Sequence, residues 1–222
     1  MLRLALAGLA ALPLCAIQLH VEVEPSARIT RRVLFVVDRS GSMHGDHFSR
    51  ALDAVREMLE HSTDELEFAV LAFNDVPTRW AGVPETDRPR PVPPGWAALP
   101  SDSALSKANG WLEEMGAGGD TLIIPALRAA LVEPRSDLSV VLVTDGLFGR
   151  ERTDDIMGTI ANLQEQRERD GHGRAVIACY GLGPSQKILA RIGEVGGGGY
   201  VREDMDFDDD GPGLLPPTKS FR

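Results

Sequence analysis

Apolar residues gather into four runs along the chain: Val33–Val37, Leu66–Phe73, Leu138–Thr144 and Ala175–Tyr180. Three of these are nearly unbroken, the pattern of strands covered on both faces of a parallel sheet. Between them the apolar positions change period. Phe48, Ala51, Leu52, Val55, Met58 and Leu59 recur at steps of three and four, which predicts an amphipathic helix over 46–60 with Asp46 as its N-cap. Leu105, Ala108, Trp111, Leu112 and Met115 repeat that spacing after Ser101 or Ser103. Residues 122–132 are apolar nearly all round and predict a deeply packed helix with Pro125 in its first turn, where no backbone donor is missed. Thr153, Asp154 and Asp155 open a further helix, with carboxylates where its dipole favours them. Ile188, Leu189, Ile192 and Val195 mark the last one.

Strands alternating with helices give an α/β fold of three layers, a mostly parallel central sheet with helices on both faces. The stretch Thr78–Gly82 suits a short antiparallel edge strand. The Pro-rich stretch 84–96 cannot join a central strand and reads as a surface excursion. Leu19–Glu24 alternates apolar and polar residues and suits an added edge strand. Beyond Glu203 the chain turns acidic and Pro-containing, so 204–222 reads as a disordered tail. It lacks the ligand spacing of an EF-hand calcium loop.

In a chain of 222 residues, these elements fill one globular domain, residues 31–203. Residues 1–20 read as a signal peptide or hydrophobic leader. The apolar run up to Ile17 follows a short basic start and falls short of the roughly 20 residues of a membrane span. Export to the periplasm, the envelope or the medium is the expectation, with membrane attachment only through an uncleaved leader. Cys15 and Cys179 are the two cysteines. Cys179 lies in an apolar run and reads as a buried, inert thiol, so the core rather than a disulfide must hold the fold. The formal charge of −10 and the lack of a basic stripe set nucleic acid aside as a partner.

Chemistry concentrates where apolar runs stop. Asp38 is the first polar residue after one run and Asp145 the first after another, in Thr144-Asp145-Gly146. Ligands in open α/β sheets sit beyond the carboxyl ends of the strands. If these two strands are neighbours, two carboxylates converge there, and a divalent cation relieves their repulsion. Ser40 and Ser42 follow Asp38 at alternate positions. Extended backbone would spread residues 38–42 over about 13 Å, whereas oxygens approach magnesium to about 2.0–2.1 Å. The segment must therefore curl, with Gly41 supplying the freedom. Oxygen ligands alone select a hard ion, Mg²⁺, Mn²⁺ or Ca²⁺.

Asp38-Arg39-Ser40-Gly41-Ser42 resembles the DxSxS element of the von Willebrand factor type A (vWA) domain family, its metal-ion-dependent adhesion site. Gly118–Leu127 resembles that family's threonine loop and Thr144–Gly146 its distal aspartate. Tyr180–Gly183 and the segment from Ala190 to Tyr200 resemble its closing strand, helix and strand. The resemblance covers about residues 31–203 and implies a Rossmann-like vWA fold. It implies metal ligation by Asp38, Ser40, Ser42, Thr121 and Asp145, and a protein partner that supplies an acidic side chain to the ion. Asp120 departs from the small residue common before the threonine, and Gly196–Gly199 predicts a loosened exit from the last helix. Arg39 is expected to point away from the ion or to pair with an acid. His44 and His47 lack a third nitrogen or sulfur ligand and read as solvent-facing or helix-start residues.

The five site residues would also serve as a metal-free hydrogen-bond network capping the sheet. A Mg²⁺-dependent hydrolase or phosphotransferase is a competing class, but GxSxG, HExxH and GxxxxGK[ST] are all missing from the sequence. Gly181–Gln186 offers only half of a dinucleotide fingerprint. A binding domain without catalysis is the expectation, with a metal-independent scaffold subunit of an envelope complex as a further alternative. The oligomeric state has no signature in the sequence.

Overall fold

The computed structural model describes residues 30–62, 65–83, 92–99, 101–183 and 186–203. The leader, the Leu19–Glu24 strand, the 204–222 tail and most of the Pro-rich excursion lie outside these residues. The described elements run β1 (Arg32–Asp38), a 3₁₀ turn (Gly41–Met43), α1 (Asp46–Glu60), β2 (Glu67–Phe73), β3 (Thr78–Arg79), β4 (Ala97–Ala98), α2 (Asp102–Met115), α3 (Ile123–Leu131), β5 (Leu138–Thr144), α4 (Thr153–Arg169), β6 (Val176–Gly181), α5 (Gln186–Gly196) and β7 (Gly197–Arg202).

The sheet order is β3-β2-β1-β5-β6-β7, with β4 also on β2. The four apolar runs become β1, β2, β5 and β6, joined in parallel register. Side-chain alternation divides the core in two. Val33, Phe35 and Val37 of β1 pack under α1 and α2, while Leu34 and Val36 face α3, α4 and α5. Both faces of the central strands are therefore dry, which is why these runs lack polar alternation. Among the described residues no helix is long and apolar enough to cross a membrane.

Some local expectations change. Gly45, at φ 74°, caps α1, and Asp46 becomes its first helical residue, where its charge still suits the helix dipole. Ser101, not Ser103, caps α2, its side chain accepting from the Ala104 amide at 3.1 Å. Pro125 does sit in the first turn of α3. The antiparallel edge comes in two pieces, Thr78–Arg79 and Ala97–Ala98, each paired with β2. Their separation spans the prolines, which supply no ladder donor. The end of that excursion is not on the surface. Trp96 is buried, with the Arg135 guanidinium 4.3 Å from its ring centroid.

The last helix is held tightly rather than loosened. A Cβ on Gly193 would land on the carbonyl of Gly199, and one on Gly196 on the Ile177 side chain. A Cβ on Gly198 would lie 2.5 Å from the Ile177 carbonyl. The glycines let α5 and β7 approach β6 at backbone distance. Val195, expected in the core, is exposed, while Leu189 and Ile192 are fully buried. Cys179 is buried and free, and burial pushes its thiol pKa well up.

Candidate functional site

The strand order decides the site. Strand β1 lies between β2 and β5, with Val37 beside Val143 and Asp38 beside Phe73, so Asp38 and Asp145 emerge from adjacent strands at the same edge. Both are completely buried. By alternation Asp38 lies on the α3 side of the sheet, the side of the loop carrying Thr121.

The Asp38 carboxylate is held by two donors. Its Oδ1 accepts from the Ser40 amide at 2.8 Å and its Oδ2 from the Thr144 hydroxyl at 2.5 Å. Burial nevertheless pushes its pKa up to about 6, with the Asp145 charge adding a smaller push in the same direction. Asp145 Oδ1 accepts from the Leu147 amide at 2.9 Å. Its Oδ2 is buried without any hydrogen-bond partner, an expensive state for a carboxylate oxygen.

The serine segment curls as expected, through the 3₁₀ turn at Gly41–Met43. Ser40 Oγ lies 3.2 Å from Ser42 Oγ; Ser40 is buried and Ser42 exposed. Gly41 has no positive φ, so its role is space, not backbone freedom. Its amide donates to the Gly119 carbonyl at 2.9 Å, and a Cβ there would meet that oxygen at 3.2 Å. Gly118 N–H donates to the Arg39 carbonyl at 2.6 Å. These two bonds lay the Thr121 loop along the serine segment. Thr121 itself is buried. The Arg39 side chain reaches the Met115 and Gly116 carbonyls at 3.5 Å, so it meets the end of α2 rather than an acid. His44 is exposed and His47 half-buried.

Several supporting residues escaped the sequence reading. Asn74 clasps the Thr121 loop, its side-chain amide donating to Gly118 O at 2.8 Å and its carbonyl accepting from Leu122 N–H at 2.9 Å. It was findable, since it is the first polar residue after the Leu66–Phe73 apolar run, as Asp38 and Asp145 are after theirs. Gly119, at φ 88°, leaves room for it; a Cβ would sit 2.6 Å from the Asn74 nitrogen. Glu151 caps α3 bidentately, accepting from the Ile123 and Ile124 amides. Nothing in sequence signals that pairing across 28 positions. Gly183, part of the half-fingerprint, has a plain packing role: a Cβ there would lie 2.9 Å from Asp145.

Among the described residues no cluster of three or more His, Cys, Asp or Glu is placed to hold a metal. The edge instead combines two carboxylates with hydroxyls.

The profile of the von Willebrand factor type A domain matches residues 31–202. The chain belongs to this family. Solved structures with the vWA fold agree. A von Willebrand factor type A protein from Catenulispora acidiphila superposes with TM-score 0.56 at 21% identity, over 77% of this chain and 38% of that one. An aerotolerance-related membrane protein from Bacteroides fragilis gives TM-score 0.52 at 14% identity, over 78% and 91%. The ArnB paralog VWA2 from Sulfolobus acidocaldarius gives 0.51 at 15%, over 80% and 42%. This vWA chain thus spans well under half the length of the first and third. No curated protein matches the sequence. vWA domains typically mediate protein–protein interaction.

Proposed function

We propose that this vWA domain holds a hard divalent cation, Mg²⁺ or a similar ion, with Asp38, Ser40, Ser42, Thr121 and Asp145, and that the ion receives an acidic side chain from a protein partner. One observation carries the reading. Asp145 Oδ2 is buried and without a hydrogen-bond partner, and a second buried carboxyl group, Asp38, lies at the same edge. A cation supplies both the missing partner and the missing positive charge. The donors are all oxygen, which suits Mg²⁺, Mn²⁺ or Ca²⁺ over zinc.

When bound, the ion would act as a Lewis-acidic point of attachment for a carboxylate. The chain's own residues prepare for that. Thr144 and the Ser40 amide orient Asp38. The Gly41–Gly119 and Gly118–Arg39 bonds hold the two hydroxyl segments together. Ser42, exposed, lies at the mouth of the site. With two carboxylates and three neutral hydroxyls, the ion's charge is only just balanced, and a partner's carboxylate competes well with water in so dry a setting. We propose binding without turnover. Export through the leader remains part of the proposal.

Isothermal titration of Mg²⁺, Mn²⁺ and Ca²⁺ into the wild type and Ser40→Ala tests the site. Saturable binding with thermal stabilisation, both lost in the variant, is expected. Equal heats from the two proteins would end the metal reading. Retention of a partner by Asp38→Ala or in EDTA would end the bridging one.

A further inference from the structure

We infer that the groove between α1 and α2 receives the chain's own basic segment, residues 214–222, through Lys219 and Arg222. This surface is built by other residues than the carboxyl-edge acids and hydroxyls, and its role is independent of the metal.

Helices α1 and α2 cover the same face of the sheet. Between them lies a groove of about 430 Å³, with Arg56 and Glu60 of α1 on one wall and Asp102, Leu105, Asn109 and Glu113 of α2 on the other. The α2 positions follow at steps of three and four, one face of the helix. Glu60, Asp102 and Glu113 are exposed carboxylates, and none has an ion-pair partner among the described residues. Arg56 is already committed to Asp53 at 3.0 Å. On the α2 wall, Asn109 Oδ1 is buried without a hydrogen-bond partner among the described residues, a costly state for an amide oxygen. Gly110 beside it has no positive φ, and a Cβ there would meet nothing within 4 Å. That glycine serves neither a turn nor a close approach, and it leaves the wall bare at a cost to the helix.

The orphan oxygen calls for a donor, and the surrounding carboxylates call for that donor to be cationic. Arginine and lysine are both, and their apolar stems can lie along Leu105. The chain carries such groups within reach. Glu203 pairs with Arg50 of α1, so the chain leaves the domain beside this helix layer. Arg56 lies about 9 Å further along α1, and a helix with its side chains is about 10–12 Å across. Lys219 lies sixteen residues beyond Glu203. A chain of that length has a root-mean-square reach of about 20–24 Å, more where carboxylates repel. The acidic run up to Asp210 is repelled by the groove, and beyond it the charged side chains are Lys219 and Arg222. Single surface ion pairs are weak, but the tether holds the segment at an effective concentration on the order of millimolar, so modest affinity suffices.

A nitroxide attached at Ser220→Cys reads the contact in the full chain, with Cys15→Ser removing the other accessible thiol and Cys179 buried. Paramagnetic broadening of the Asn109, Gly110 and Glu113 amide signals is expected at low salt, with relief at high salt. Lys219→Ser/Arg222→Ser changes only the segment, and Glu60→Gln/Glu113→Gln changes only exposed positions, so both variants should keep the thermal midpoint. Each should reduce the broadening at least about threefold. Spin-labelled chain mixed with isotope-labelled chain that lacks the nitroxide should leave the groove signals sharp. Broadening in that mixture makes a second copy the occupant and overturns the inference. Sharp groove signals in the labelled chain itself, or broadening indifferent to both pairs of substitutions, overturn it as well. If a free peptide of residues 214–222 shifts the groove signals while the attached segment leaves them sharp, the groove serves a partner's basic segment and the intramolecular assignment is wrong.

Discussion

Asp38 and Asp145 are two buried acids on neighbouring strands, and each has a distinct consequence. Asp38 titrates near pH 6 in the fold against an ordinary 3.8, so the native state binds a proton that the unfolded chain releases earlier. In metal-free protein its contribution is fully present below about pH 4 and lost as pH rises through 6, on the order of 3 kcal/mol. Urea unfolding in EDTA between pH 4 and 7.5 should show that decline, and Asp38→Asn should flatten it. Metal competes with that proton, so stabilisation at a fixed Mg²⁺ concentration should grow as pH rises. Asp145→Asn keeps the Oδ1 acceptor for Leu147 and removes the like charge beside Asp38. It should raise the thermal midpoint of the metal-free protein while erasing its response to Mg²⁺. A lower midpoint in EDTA would show that Asp145 is not under strain.

At the scale of elements, loops that are distant in sequence are pinned by few contacts. Glu151 ties the segment after β5 to the first turn of α3, immediately beyond Thr121. Burial raises its pKa while the two amides pull it down. Glu151→Ala strips the cap from α3 and should cost about 1–2 kcal/mol. If the cap also sets the Thr121 loop, metal affinity falls several-fold with no ligand removed, and Glu151→Gln recovers part of both losses. Unchanged metal affinity alongside the stability loss would restrict Glu151 to a helix cap. The junction of α5 with β6 and β7 depends on absent side chains instead. Gly198→Ala puts a methyl 2.5 Å from the Ile177 carbonyl, and overpacking of this kind should cost about 1–3 kcal/mol by chemical unfolding.

Across the whole molecule, one buried cation holds loops at the amino edge. Arg167 of α4 donates to the carbonyls of Leu131, Glu133, Arg135 and Gly173, closing the end of α3 and the approach to β5. Burial lowers its pKa, opposed by Glu133. Arg167→Met keeps the apolar stem and leaves those acceptors short of donors, which should cost on the order of 3 kcal/mol. Denaturant unfolding with an unchanged m-value checks it. The site lies at the opposite edge, so the variant's Mg²⁺ affinity should match the wild type's under conditions where both are folded.

The sequence by itself determined the layers and their order. Short β-branched apolar runs suit strands covered on both faces, and three-to-four spacing between them suits helices docked on the sheet, because each element must bury its apolar side. It also marked Asp38 and Asp145, since a charge at the end of a buried run has to emerge at the sheet edge. Tertiary structure alone decided that β1 and β5 are neighbours, and hence that the acids meet. It alone assigned the glycines at 41, 183, 193 and 198 to close approach, placed Trp96 inside, and gave Glu151 and Arg167 their partners. These outcomes depend on contacts across tens of residues, where local periodicity carries no information and only the packed backbone fixes which groups come within hydrogen-bond reach.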